Sequence, residues 1–168
     1  MRSKSEYTLP FEGLKLGVHE YEFRLDETFF ARETHGFVEK GELDLKFTLE
    51  KKERMMLANF KFKGFVVKPC DLCTEDVNVP LKGEFDVIYK FGEEESEDEN
   101  LIMVASNEFE IDIAPLCAEF IAIMMPNKII HPDNGCDEEM LDLIDKYSAG
   151  GSDDDELDPR WAALKNLN

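Results

Sequence analysis

This 168-residue sequence predicts an α+β domain: an antiparallel β meander, sandwich- or barrel-like, packed by one central helix. Three observations point there. Apolar and polar residues alternate over three long runs, Leu43 to Leu49, Met56 to Val66 and Val77 to Phe91, and period two marks a strand with one face on a core. The longest segment of helical periodicity is Glu108 to His131. A hydrophobic content of 43% with 13 Phe suffices for one good core in a chain of this length.

Taken in order, residues 6–11 open as a strand, and Tyr21, Phe23 and Leu25 alternate with Glu20, Glu22 and Arg24 as a second. Asp26 can cap a short helix that Gly36 stops. Leu43, Leu45, Phe47 and Leu49 then face one way and Glu42, Asp44, Lys46, Thr48 and Glu50 the other. Residues 51–54 make a charged turn, and Met56, Ala58, Phe60, Phe62 and Val66 return as the partner strand with Asn59, Lys61 and Lys63 outward, completing a hairpin. After a turn bearing Cys70 and Cys73, Val77, Val79, Leu81, Phe85, Val87, Tyr89 and Phe91 form the third long strand, with Gly83 marking a bulge or bend. Residues 93–99 hold six carboxylates in seven positions and read as a solvated loop. Leu101 to Val104 is a short strand before the central helix.

In that helix Ile113, Leu116, Cys117, Phe120, Ile121 and Met124 share one stripe, so Cys117 reads as a small buried hydrophobe. Pro115 fits only a first turn, Asp112 ahead of it caps or offsets the positive end, and Pro126 stops the helix after about four turns. Asp137 to Tyr147 reads as a second, acidic helix carrying Met140, Leu141, Leu143, Ile144 and Tyr147. Residues 1–147 thus form one domain, 148–157 an acidic Gly/Asp linker, and 158–168 a tethered C-terminal helical motif. The motif has Asp158 as cap, Pro159 at the first helical position, Arg160, and Trp161, Leu164 and Leu167 as apolar anchors. So short a helix needs a surface, its own domain or a partner, to be stable.

Charge narrows the function. Residues 1–92 carry 15 basic and 17 acidic side chains, whereas 93–168 carry 4 and 21. Such a half repels phosphate backbones and favours basic partners. Only residues 38–68, with eight basic and five acidic side chains, offer a basic face, and Lys61, Lys63 and Lys68 are its candidate RNA contacts; scattered lysines on strands also serve only to blunt edges and keep a protein soluble. No run approaches the roughly 18 apolar residues of a membrane span, and the amino terminus shows no apolar signal region, which suggests a cytoplasmic protein.

Four cysteines in a reducing compartment are metal ligands or plain thiols more often than disulfides. A C-x-x-C turn aims both sulfurs at one point, and His131 and Cys136, just past the central helix, could complete a tetrahedral zinc set with Cys70 and Cys73. The other readings of Cys70 and Cys73 are reduced thiols in an ordinary turn and a redox pair; the last wants a helix start in a βαβ unit, which these patterns do not offer. His19 and His35 have no Ser, Cys or carboxylate at triad spacing and read as surface residues. No phosphate loop, dinucleotide fingerprint or isolated acid/base pair is present, so neither an enzyme nor a small-molecule substrate is expected.

The order of these motifs carries a resemblance. A C-x-x-C turn (Cys70, Cys73), Glu110-Ile111-Asp112 leading into an Ile-rich helix, Pro126 and His131 at its exit, and Asp158-Pro159-Arg160 with Leu164 near the end resemble the YceD family, the large ribosomal RNA subunit accumulation proteins. The resemblance spans roughly residues 40–168, although Leu72 stands where the family often has Arg, and the four-cysteine cluster some relatives carry after the helix is not here. It implies a non-enzymatic role in the synthesis, processing or stability of large-subunit ribosomal RNA. Joined to the acidic charge, it implies action through a ribosome-assembly protein or basic ribosomal protein, with RNA contacted indirectly. Direct RNA binding by the basic strands and thiol-redox chemistry are the alternatives.

Overall fold

Period-two alternation does build a sheet. The computed structural model describes residues 6–92, 101–105, 107–132 and 135–148. Its elements are β1 (Thr8–Pro10), β2 (Gly17–Leu25), α1 (Glu27–Glu33), β3 (Lys40–Lys51), β4 (Met55–Pro69), β5 (Asp76–Phe91), β6 (Leu101–Val104), β7 (Glu110–Asp112), α2 (Ala114–Met124) and α3 (Glu138–Tyr147). Five strands form one sheet in the order β2-β3-β4-β5-β6, antiparallel from β2 to β5. Two features depart from a simple meander: β6 joins β5 in parallel, and β1 pairs not with this sheet but with β7, Leu9 opposite Ile111. The sheet is not a closed barrel, because β2 and β6 end it at opposite edges. The expected loop over 93–99, the linker beyond Ser148 and the motif at 158–168 lie outside the described residues.

One face of the sheet holds the core. Leu43, Leu45, Phe47 and Leu49 of β3 and Met56, Phe60, Phe62 and Val66 of β4 are buried, while their outward neighbours Asp44, Lys46, Lys61 and Lys63 are exposed. Helix α2 covers that face with Ile113, Ala114, Cys117 and Ile121 buried and Leu116, Phe120 and Met124 packed against them. Phe120 stacks flat on Phe85 at 4.3 Å and meets Phe60 edge-on at 5.2 Å, contacts that favour one seating of the helix beyond the area they bury. Gly83 proves not to be a bulge: the β4–β5 register runs through it unbroken, and a Cβ there would lie 2.5 Å from the Met124 sulfur. The missing side chain leaves room for Met124 at the end of the helix.

The helix ends follow the chemistry of their caps. Asp26 Oδ1 accepts from the backbone of Thr28 and Phe29 at the start of α1, which seats both Phe29 and Phe30 in the core. That helix stops at Glu33, before Gly36, because the Thr34 hydroxyl sits between the Phe30 and Val38 carbonyls and also accepts from Val38 N. Asp112 Oδ1 accepts from Ala114 N, and Pro115 lies in the first turn of α2. With 11 residues α2 makes about three turns, one fewer than expected, since Glu110 to Asp112 is drawn into β7. Lys51 leaves the charged turn to bind the carbonyls of Phe11, Glu12 and Leu14 at 2.7, 3.2 and 2.9 Å, pinning the loop after β1.

Gly64 faces Leu43 across the β3–β4 ladder, where an added Cβ would fall 2.1 Å from the Glu42 carbonyl oxygen. Backbone cannot yield there as a side chain can. Gly64→Ala is therefore expected to cost at least about 2 kcal/mol in urea unfolding, with Gly13→Ala, where nothing lies within 4 Å, close to neutral.

Candidate metal centre

The turn between β4 and β5 is built by its own backbone. Cys70 N donates to Glu75 O at 2.8 Å, Thr74 N donates to Cys70 O at 3.0 Å, and Thr74 takes a left-handed φ of 65°. This tight fold leaves the buried Cys70 and Cys73 side chains on the same side. Asp71, between them, ties the turn to the exit of α2: its N–H donates to Ile129 O at 2.7 Å, and its Oδ2 accepts from Ile129 N at 2.6 Å. Two residues later the chain delivers His131. Nothing in the residue pattern singles out Asp71, because the x positions of a C-x-x-C turn carry no spacing rule.

All four proposed ligands come together. The donor atoms of Cys70, Cys73, His131 and Cys136 lie within 4.8 Å of one another. Cys70 Sγ is 3.7 Å from Cys136 Sγ, and His131 Nδ1 is 3.4 Å from Cys73 Sγ and 3.8 Å from Cys136 Sγ. A tetrahedral ion with bonds of roughly 2.3 Å to sulfur and 2.0 Å to nitrogen requires donor separations of about 3.5–3.8 Å, so the spacing suits such an ion. The set could hold a metal, and three thiolates with one imidazole suit zinc among biological metals.

The surroundings favour ligation as well. Nε2 of His131 lies 3.3 Å from the Asp76 carbonyl; with the ring proton placed there, the Nδ1 lone pair is free to face the sulfurs. The backbone N–H of Cys73, followed by that of Leu72, holds the Cys70 thiol down to about 6 from its usual 9.0, so it is a ready thiolate at neutral pH. Burial pushes the Cys136 thiol up, and burial pushes that of Cys117 much further. Cys117, fully enclosed on α2, is the core residue its position implied. The C-x-x-C lies in a strand-to-strand turn and not at a helix start, so the setting a redox pair wants is missing.

The candidate RNA contacts are not gathered in the same way. Lys61 and Lys63 lie on the open face of the sheet, but Lys61 pairs with Glu84 at 3.2 Å and Lys63 stands opposite Asp44 and Lys82. Lys68 has the parity of the other face; its ammonium binds Phe37 O at 2.7 Å and lies over the Phe37 ring. Asp158, Pro159, Arg160, Trp161, Leu164 and Leu167 fall outside the described residues. Of the histidines expected at the surface, His35 is exposed and His19 half-buried, its Nε2 2.8 Å from Lys15 O.

Asp71→Ala removes one arm of the clamp that brings His131 to the turn. The expected result is a loss of about 1 kcal/mol and faster amide exchange at Ile129, with exchange in β3 and β4 unchanged.

Neither curated proteins nor solved structures give a match. The sequence model of the family described as Large ribosomal RNA subunit accumulation protein YceD matches residues 58–168, which is 111 of 168 residues and takes in the cysteine turn, α2, His131 and Cys136. The chain therefore belongs to the YceD family.

Proposed function

We propose that this protein is a non-enzymatic, cytoplasmic factor for accumulation of large-subunit ribosomal RNA that works through a protein partner, a ribosome-assembly protein or a basic ribosomal protein, and meets the RNA indirectly. The family supplies the RNA; the charge on the sheet carries the choice of a protein intermediary. A track for a phosphate backbone needs cations not already answered by carboxylates. On the open face Lys46 pairs with Glu22, Lys61 with Glu84 and Arg24 with Glu42, while Asn59 gathers Glu84 and Asp86 beside them. The 21 carboxylates after residue 92 add repulsion toward RNA and attraction toward basic protein. In this reading Trp161, Leu164 and Leu167, with Asp158, Pro159 and Arg160, supply an apolar anchor to the partner.

One observation favours direct RNA binding. Lys63 and Lys82 face each other across β4 and β5, a like-charge pair that an anion would relieve. Salt dependence separates the two readings. The isolated chain is expected to bind ribosomal RNA no tighter than about 1 µM at physiological salt, and Lys61→Glu, Lys63→Glu and Lys82→Glu together to leave its nuclease-resistant partner in place. Tighter binding that falls steeply with salt and is abolished by these changes would establish the direct reading.

Zinc at Cys70, Cys73, His131 and Cys136 is the second part of the proposal, with a structural role, since the four protein ligands leave no open position for substrate. Purified protein should retain about one zinc per chain, and Cys73→Ser should release it. A chelator should lower the melting temperature; metal-free protein whose melting temperature a chelator leaves unchanged would count against zinc.

A further inference from the structure

Helix α3 is the acidic helix the sequence predicts, and among the described residues it is seated on almost nothing. None of its side chains is buried, and Leu143, Ile144 and Tyr147 are 46%, 38% and 74% exposed. With Met140 they occur at i, i+3, i+4 and i+7, which places the four on one stripe of the helix. Glu138, Asp142 and Asp145 occupy the opposite side and Glu139 a flank, with Lys146 the single basic residue. A helix of 10 residues is marginal alone, and an apolar stripe left in water adds nothing to its stability.

We infer that the apolar stripe of α3 is a docking surface for a basic amphipathic helix of a protein partner. The inference rests on the protein-mediated reading above and names the surface it would use. Charge complementarity selects the occupant: Glu139 borders the stripe, and with Glu138, Asp142 and Asp145 on the same helix against the single Lys146 the surface is net negative, so a helix with apolar anchors and Lys or Arg alongside gains both burial and electrostatic attraction. A second copy is disfavoured, since it would set one acidic helix against another in a chain of net charge −19. From Met140 to Tyr147 the stripe spans about 11 Å, enough for two turns of a partner helix. Its position is set from one end, because Cys136 lies just before the capping Asp137 and its sulfur is 3.7 Å from that of Cys70.

The test uses the full chain and a labelled peptide of about 18 residues with Leu and Lys in amphipathic helical order, against its Leu/Glu counterpart, read by fluorescence anisotropy at about 0.15 M salt. The Leu/Lys peptide should bind and the Leu/Glu peptide should not. Leu143→Glu with Ile144→Glu should weaken binding at least about tenfold while the melting temperature of the domain stays unchanged, because neither side chain is buried. Glu139→Lys with Asp142→Lys should weaken it too and flatten its salt dependence. Equal binding of both peptides, or undiminished binding by the Leu143/Ile144 variant, would overturn the inference. So would a shift in the emission of Trp161, the single tryptophan, caused by that variant in the absence of peptide, which would show the chain's own C-terminal segment on the stripe. A dimer that the same variant dissociates would overturn it in favour of a second copy. Because the assay contains no RNA, its failure leaves the protein-mediated reading standing, and tight RNA binding would remove that reading without altering the peptide result.

Discussion

A sheet with one apolar face must be covered, and here α1 lies against β2 and β3 while α2 covers β4 and β5. The seating of α2 is the constraint on which the other features depend. Phe120 stacked on Phe85 fixes where the helix crosses β5, and Gly83 lets Met124 approach where any other residue would push it away. Pro126 ends the helix just after that contact, so the exit leaves at a determined point above the β4–β5 turn. Asp71 then takes hold of Ile129, and His131 follows within reach of two sulfurs. Burial of aromatic side chains in this way sets the position of a polar cluster that shares none of their chemistry.

What the sequence showed, it showed through periodicity and caps. The alternation at Leu43 to Leu49 and Met56 to Val66 is legible because one face is buried and the other is not, and Asp26 and Asp112 are legible because a carboxylate ahead of a helix has a backbone N–H to accept from. Pairings between distant short segments were not legible. Nothing in Thr8 to Pro10 announces that it will lie against Glu110 to Asp112, since three residues carry too little pattern to specify a partner a hundred positions away. The parallel placement of β6 is hidden for the same reason. Gly83 misled because a glycine in a strand marks either a bend or a close approach, and only the helix overhead decides between them.

The cluster of ligands was legible where the basic face was not, and the difference is one of geometry. Cys70 and Cys73 are joined by two residues and His131 and Cys136 by four, so each pair is local and a single docking event unites them. A face of lysines requires that strand parity agree at every position, and Lys68 breaks that agreement with Lys61 and Lys63. Counting basic residues between 38 and 68 could not reveal the carboxylates set beside them, because Glu22 and Glu84 arrive from strands outside that window.

Two kinds of cohesion divide the molecule accordingly. From β2 to α2 the chain is held by apolar burial, which is cooperative and would be lost only on global unfolding. Beyond Met125 the partly buried Ile129 is, among the described residues, the one hydrophobic side chain packed on the core, so the path from there to α3 relies on the Asp71 clamp and on Cys136 and His131. Polar contacts and a ligand set of this kind order a segment locally without adding much to the core. An ion bound by residues from both regions would couple them, since each thiolate it holds from the β4–β5 turn is held at the cost of freedom in the segment carrying Cys136. The orientation of α3, which has no buried side chain of its own, is then governed by coordination at its amino end and not by packing along its length.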